Sequence, residues 1–355
     1  MIPGLGSALL KRLVQEFGDA GAVFRADLQA LMKVAGMRRD IAGKIVKRSL
    51  VKEAEEELRN AENAGSRIIT YTDSSYPPLL REIHNPPMVL YTRGGGVPPG
   101  LTLVSVVGSR NPTHYGRKAA EAIASGLAKR GVGVVSGLAR GIDSAAHMGC
   151  LMGKGLTVAV MGTGIDVVYP RSNRELFRRI ETEGVIITEF PVGTPPEPKN
   201  FPIRNRIISG LSRGTLVVEA TKRSGSLITA SLALDQGREV FAVPGSIDSF
   251  KSTGTHLLIK RGEAKLVENA EDILEEFGFA GGGGGARGIN RAAEDAELQL
   301  DESEKRIYEI IGDYPIHMDA IVRKGNMDVG KVSSILMKME LEGIIKQLPG
   351  RMFVR

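Results

Sequence analysis

Leu103-Val104-Ser105-Val106-Val107-Gly108-Ser109-Arg110 decides the fold. An apolar run of strand length stops in a glycine, a hydroxyl and a cation, and the pattern recurs downstream. Val134-Val135 runs into Ser136-Gly137, Val160-Met161 into Gly162-Thr163-Gly164, and Val217-Val218 into Glu219 and then Lys222-Arg223-Ser224-Gly225-Ser226. Helix-like runs intervene, so segment 101–270 reads as a doubly wound α/β domain. In an open parallel sheet the strands' carboxyl ends share one edge, where ligands bind. Free N–H groups at the helix starts attract phosphate there.

The strands of this domain are expected at Leu103–Val107, Val132–Ser136, Thr157–Met161, Val185–Glu189, Leu216–Glu219, Val240–Val243 and Lys265–Val267. A helix over Glu271–Phe277 closes it. Upstream, Ile68-Ile69-Thr70 and Met88-Val89-Leu90-Tyr91 read as short strands that extend the sheet, so the domain runs over 67–279. Residues 1–66 read as helices. Leu9, Leu10, Leu13, Val14 and Phe17 follow Gly4-Leu5-Gly6-Ser7, and Ile41, Ile45 and Val46 follow Val34-Ala35-Gly36-Met37. An apolar residue, a glycine turn and a helix fit helix–hairpin–helix units, which hold phosphate, and equally a structural bundle of the SAM type. The first such turn has no preceding helix, which allows a start upstream of Met1.

Downstream, Gly281 to Gly285 open a flexible linker over 280–300. Residues 301–355 read as three helices marked by Ile307, Ile310 and Ile311, by Met318, Ile321 and Val322, and by Val332, Ile335, Leu336, Met339 and Leu341. A hairpin of Ile344-Ile345-Lys346 and Met352-Phe353-Val354 around Pro349-Gly350 follows. Three helices and a hairpin make a winged helix.

The net charge of +6 is unevenly distributed. Segment 101–270 holds 22 basic and 14 acidic residues, whereas 301–355 holds nine of each. The positive excess therefore sits on the central domain, which points to a polyanion there. No apolar run is long enough to span a bilayer, and no secretory signal opens the chain. A single cysteine, Cys150, excludes an internal disulfide and suits a reducing compartment. A cytoplasmic protein without membrane insertion is expected.

Each candidate motif has a functional and a plain reading. Ser109 and Arg110 can grip one phosphate through charge-assisted hydrogen bonds, or form an ordinary turn. Gly137 and Gly141 permit close backbone approach, and Asp143 suits a helix N-cap. His147 and Cys150 share a helix face without further ligands nearby, so they read as a packing histidine and a buried thiol. Gly162-Thr163-Gly164 is half a dinucleotide fingerprint. The stretch Phe190 to Arg206 places Lys199, Arg204 and Arg206 beside Phe201. A cationic groove with an aromatic platform holds unpaired strands, because every base has a π-face. The alternative makes Phe201 a core plug, with Arg204 and Arg206 bracing the sheet. Ser224 and Ser226 can cap a helix or offer N–H and hydroxyl groups to phosphate. No phosphate-loop lysine, zinc-protease or nucleophile-elbow pattern occurs, so no catalytic residue, no cofactor and no metal are expected.

In order along the chain, Val107-Gly108-Ser109-Arg110, Ser136 to Asp143 with Ala146-His147, Tyr169-Pro170, Phe201-Pro202-Ile203-Arg204-Asn205-Arg206, and Ser224 to Ala230 with Pro244-Gly245 resemble the DNA-processing protein A family (DprA, also called Smf). The resemblance implies an extended Rossmann-like domain that binds single-stranded DNA and dimerises. It also implies protection of incoming DNA during natural transformation, loading of the RecA recombinase, and no enzymatic activity. Carried over by position, Arg110, Arg171, Lys199 and Phe201 become DNA contacts. The expected interface is Gly108, Ser109, Arg110, Gly137, Gly141, Arg171, Lys199, Phe201, Arg204, Asn205, Ser224, Gly225 and Ser226. Gly262-Glu263 departs from the family's usual Gly-Ala, away from this groove.

Two rivals remain open at this point. A nucleotide-cleaving enzyme on a related Rossmann core carries Pro-Gly-Gly-x-Gly-Thr, where this chain has Pro244-Gly245-Ser246-Ile247-Asp248. A winged-helix transcription regulator fits poorly with a neutral tail.

Overall fold

The computed structural model describes residues 2, 4–48, 50–279, 300–312, 315–342 and 344–354. The glycine-rich linker expected over 280–300 lies outside them except for Leu300. Five helices open the chain: α1 (Ser7–Phe17), α2 (Ala20–Arg25), α3 (Leu28–Met32), α4 (Arg39–Val46) and α5 (Val51–Asn63). Leu13, Val23, Leu31, Ile41 and Ile45 form the core of the bundle. The two shortest helices are fixed by caps, since Asp19 and Asp27 each accept a backbone N–H three residues on, at 2.7 Å. α5 belongs to the next layer instead. Its Ala61 packs with Tyr91 and Phe177, and Glu57 Oε1 accepts Val192 N–H at 2.9 Å.

The central sheet comprises β1 (Arg67–Thr70), β2 (Val89–Gly94), β3 (Leu103–Gly108), β4 (Gly133–Ser136), β5 (Thr157–Val160), β6 (Val185–Thr188), β7 (Gly214–Val218), β8 (Glu239–Ala242) and β9 (Lys265–Leu266). Its order is β1-β2-β6-β5-β4-β3-β7-β8-β9. From β6 to β9 all pairings are parallel, and β1 and β2 join the β6 edge antiparallel. α6 (Pro78–Glu82) lies between β1 and β2 in the chain. α7 (His114–Lys129), α8 (Ile142–Met152), α9 (Arg174–Glu183), α10 (Asn200–Gly210), α11 (Gly225–Asp235), α12 (Thr253–Lys260) and α13 (Ala270–Glu276) follow later strands.

Strand alternation divides the core between the two faces of the sheet. Val158, Val160, Val185 and Ile187 join one cluster with Leu103, Val107 and Ile207. Ala159, Met161 and Ile186 join the other with Leu138, Ile165 and Phe177. The short strands are almost wholly apolar because helices cover both faces. Among the described residues no helix is long and apolar enough to cross a membrane.

The winged helix has α14 (Glu302–Ile310), α15 (Met318–Gly325) and α16 (Val329–Leu341), with β10 (Ile316–His317), β11 (Lys346–Leu348) and β12 (Met352–Val354) in the order β10-β12-β11. Asp301 and Glu304 form a reciprocal capping box at the start of α14. Two expectations shift here. The first hairpin strand begins at Lys346, because Ile345 is drawn into the helical core. Leu341, read as a core position, is exposed at the end of α16.

Candidate nucleic-acid interface

The chain crosses from β3 to β4 on one side and returns from β6 to β7 on the other side of β3. The loops leaving β3 and β7 therefore diverge, opening a crevice at the carboxyl edge as the topological rule requires. A cleft of about 590 Å³ fills it, lined by Gly108, Ser109 and Arg110 on one side and Arg223, Ser224, Gly225 and Ser226 on another, with Phe201 and Asn205 from α10. Eight of the thirteen residues expected at the interface thus share one cleft before Arg204 is counted.

Gly108 closes β3 opposite Val218 of β7, which aims Ser109 and Arg110 into the crevice. Ser109 turns the loop by accepting Asn111 N–H at 3.2 Å. Its carbonyl accepts Ile142 N–H at 3.1 Å. Gly141 makes that junction possible: its φ is +81°, and a Cβ there would overlap Ser109 O. Gly141 holds the loop and does not itself line the cleft. Gly137 likewise works from behind, its N–H held by Asp143 and its carbonyl by Arg204.

Asp143 corrects the expectation of an N-cap. α8 starts at Ile142 with Gly141 in the cap position. The Asp143 carboxylate turns back to accept Gly137 N–H at 3.1 Å and Ala139 N–H at 3.3 Å. Burial pushes its carboxyl up, opposed by the Arg204 guanidinium. Arg204 is itself only 4% exposed. Its Nη1 donates to Gly137 O at 2.8 Å and to Val160 O. Burial brings this guanidinium down to about 10, with Asp143 opposing. Arg204 therefore forms the cleft floor and braces β4 against β5, a different task from an exposed DNA contact. Arg206 also braces, paired with the half-buried Glu189.

Phe201 sits in the first turn of α10 and belongs to neither central core cluster. Its half-buried ring lies over Gly162, where a Cβ would come within 2.8 Å of Cδ1. The guanidinium carbons of Arg110 and Arg204 lie 5.9 Å from its centroid. Gly162 thus serves ring packing, and Gly164 N–H bonds to Thr194 O at 3.0 Å. This use of the two glycines explains why half a dinucleotide fingerprint appears without a dinucleotide loop.

At α11, Ser224 occupies the N-cap position but accepts Thr221 N–H at 2.9 Å instead of capping its own helix. Ser226 Oγ is buried without a hydrogen-bond partner. The amino-terminal N–H groups of α11, at Gly225 and Ser226 on the cleft wall, suit an anion. Arg223 beside it was not among the expected contacts, although Lys222-Arg223-Ser224 carried the signal. Tyr169 is a second addition to the lining. Arg171 and Lys199 are exposed cations outside that lining, and Lys199 is paired with Glu197 at 2.7 Å.

Two further residues under the site are structural. Cys150 donates to Leu156 O, and burial pushes its thiol up to about 11. His147 Nδ1 contacts Thr157 Oγ1 at 2.7 Å. Burial, aided by the Arg204 charge, brings the imidazole from 6.5 down to about 3. The native state keeps His147 neutral while the unfolded chain protonates below 6.5. Its contribution is complete above 6.5 and is lost as pH falls from there toward about 3, at up to about 1.4 kcal/mol per pH unit. Denaturant unfolding at about pH 7 and about pH 5 should show a smaller fall in His147→Gln than in the parent. Equal falls in both proteins contradict this assignment.

Known proteins share this architecture. The sequence matches the family described as DNA recombination-mediator protein A over residues 67–278 and the DprA winged helix domain over residues 291–351. The protein Smf of Synechocystis is 36% identical over 100% of this chain and 96% of its own length. The structure of DNA processing protein A from Streptococcus pneumoniae superposes with a TM-score of 0.69 at 36% identity, covering 77% of this chain and 94% of that one. DNA processing protein A from Helicobacter pylori, described for its unique single-stranded DNA binding mode, gives a TM-score of 0.54 at 27% identity, covering 60% of this chain and 97% of that one. Matched by the family model over most of its central domain and by the Synechocystis relative along its whole length, the chain belongs to the DNA recombination-mediator protein A family, the DprA/Smf proteins.

Proposed function

We propose that this protein binds single-stranded DNA in the cleft between the β3 and β7 loops, protects incoming strands and helps load RecA during transformation and recombination. It acts in the cytoplasm as a homodimer through its Rossmann-like domain and turns over no substrate. The observation that carries the binding is the convergence of Arg110, Arg223, the α11 amino terminus and the Phe201 ring on one cleft. Cations and N–H groups take phosphate, and an aromatic ring takes a base face that only an unpaired strand exposes. The Helicobacter pylori relative, described for single-stranded DNA binding, supports the ligand class. The roles in RecA loading and dimerisation follow from family resemblance.

A titration of labelled single-stranded oligonucleotide against the parent and Phe201→Ala tests the binding mode. The substitution should cost about 1–3 kcal/mol of affinity, the usual worth of one stacked base. The slope of log K against log salt should stay unchanged, because no cation is lost. The melting temperature should fall less than the roughly 3–5 kcal/mol expected for a truncated core phenylalanine implies, since this ring is half-buried. A variant that melts much earlier yet binds normally when folded would remove Phe201 from the site.

A further inference from the structure

The aromatic surface of the cleft extends beyond Phe201. Tyr169 is 44% exposed and lines the same cleft. Its ring centroid lies 5.5 Å from that of Phe201 with the planes tilted by 41°. At that separation the two rings already form an aromatic pair, so no base enters between them. Phe201 is also hemmed in by the Gly162 main chain and by two guanidinium groups. The more open aromatic ring is therefore Tyr169, with positive charge held beside its partner by Arg110 and Arg204.

We propose that Tyr169 is a base-stacking residue of this cleft, its outer ring face taking one base of a single strand while Phe201 backs it and serves a neighbouring base. The inference rests on the single-strand reading of the cleft and adds a specific contact to it. It assigns the ring, not the hydroxyl, as the binding group. Stacking is tolerant of base identity, so the residue adds affinity without sequence preference.

The test combines two measurements on the full chain. An oligothymidylate bearing 5-iododeoxyuridine is photo-crosslinked to the protein and the adduct is mapped by mass spectrometry. Unsubstituted oligothymidylate is titrated against the parent, Tyr169→Ala and Tyr169→Phe at two salt concentrations, with melting temperatures recorded. The proposal expects an adduct at Tyr169 and about tenfold weaker binding for Tyr169→Ala at an unchanged salt slope. It also expects binding by Tyr169→Phe within about twofold of the parent. Parent-like binding by Tyr169→Ala, with adducts only elsewhere, overturns the proposal and leaves the cleft's assignment standing. Equal losses in Tyr169→Phe and Tyr169→Ala overturn it in favour of a hydroxyl contact. Failure of the parent to bind the oligonucleotide overturns the single-strand reading and this inference with it.

Discussion

Replacing Arg204 with alanine is expected to destabilise the folded protein by about 3–5 kcal/mol, the usual cost of removing one partner from a buried charge set. Arg204 is inside the domain, and its guanidinium joins Gly137 O to Val160 O at the ends of β4 and β5. Its removal leaves those carbonyls without this donor and the buried Asp143 carboxyl without its principal opposing charge. At about 2–4 °C per kcal/mol for a domain of this size, the melting temperature should drop by roughly 6–20 °C. Arg204→Lys should recover only part of the loss, since one ammonium group cannot reproduce the planar fork. An Arg204→Ala protein that melts with the parent contradicts the bracing role.

Arg110→Ala should weaken binding more than Lys199→Ala. The Arg110 side chain lines the cleft beside the Phe201 ring, where a phosphate meets charge and aromatic surface together. A hydrogen bond to a charged group contributes about 1.5–3 kcal/mol, so affinity should fall about 10- to 150-fold. The salt slope should shrink by about 0.7, one phosphate's share for a single strand. Lys199→Ala should do less at moderate salt, because Lys199 is 75% exposed and already paired with Glu197. Titrations of both variants across salt concentrations check the ranking. A larger loss for Lys199→Ala, or an unaltered slope for Arg110→Ala, would place the strand elsewhere.

The difference between Arg110 and Arg204 shows where sequence reading succeeds and where it stops. Runs such as Leu103–Val107 are legible as strands because apolar residues fill both faces of a covered parallel sheet. Once the sheet is parallel, Ser109-Arg110 and Ser224-Gly225-Ser226 must share its carboxyl edge, so their meeting was legible too. Burial was not. Arg204 and Phe201 are three residues apart on one helix, yet one is the cleft floor and the other part of its wall. That distinction depends on how α10 seats against Gly137 and Gly162, contacts distant in sequence. The role of Asp143 is hidden for the same reason, since its partners lie in the preceding loop and not in its own helix. The two-residue β10 lacked enough length to show a period, and it exists through pairing with β12.

The central claim is most directly tested by competition between single-stranded and duplex DNA of equal length for the full chain at two salt concentrations. Tighter binding to the single strand is expected, with little dependence on base sequence and a salt slope of about −0.7 for each phosphate neutralised. Equal affinity for the duplex, or binding to the single strand that ignores salt, contradicts it.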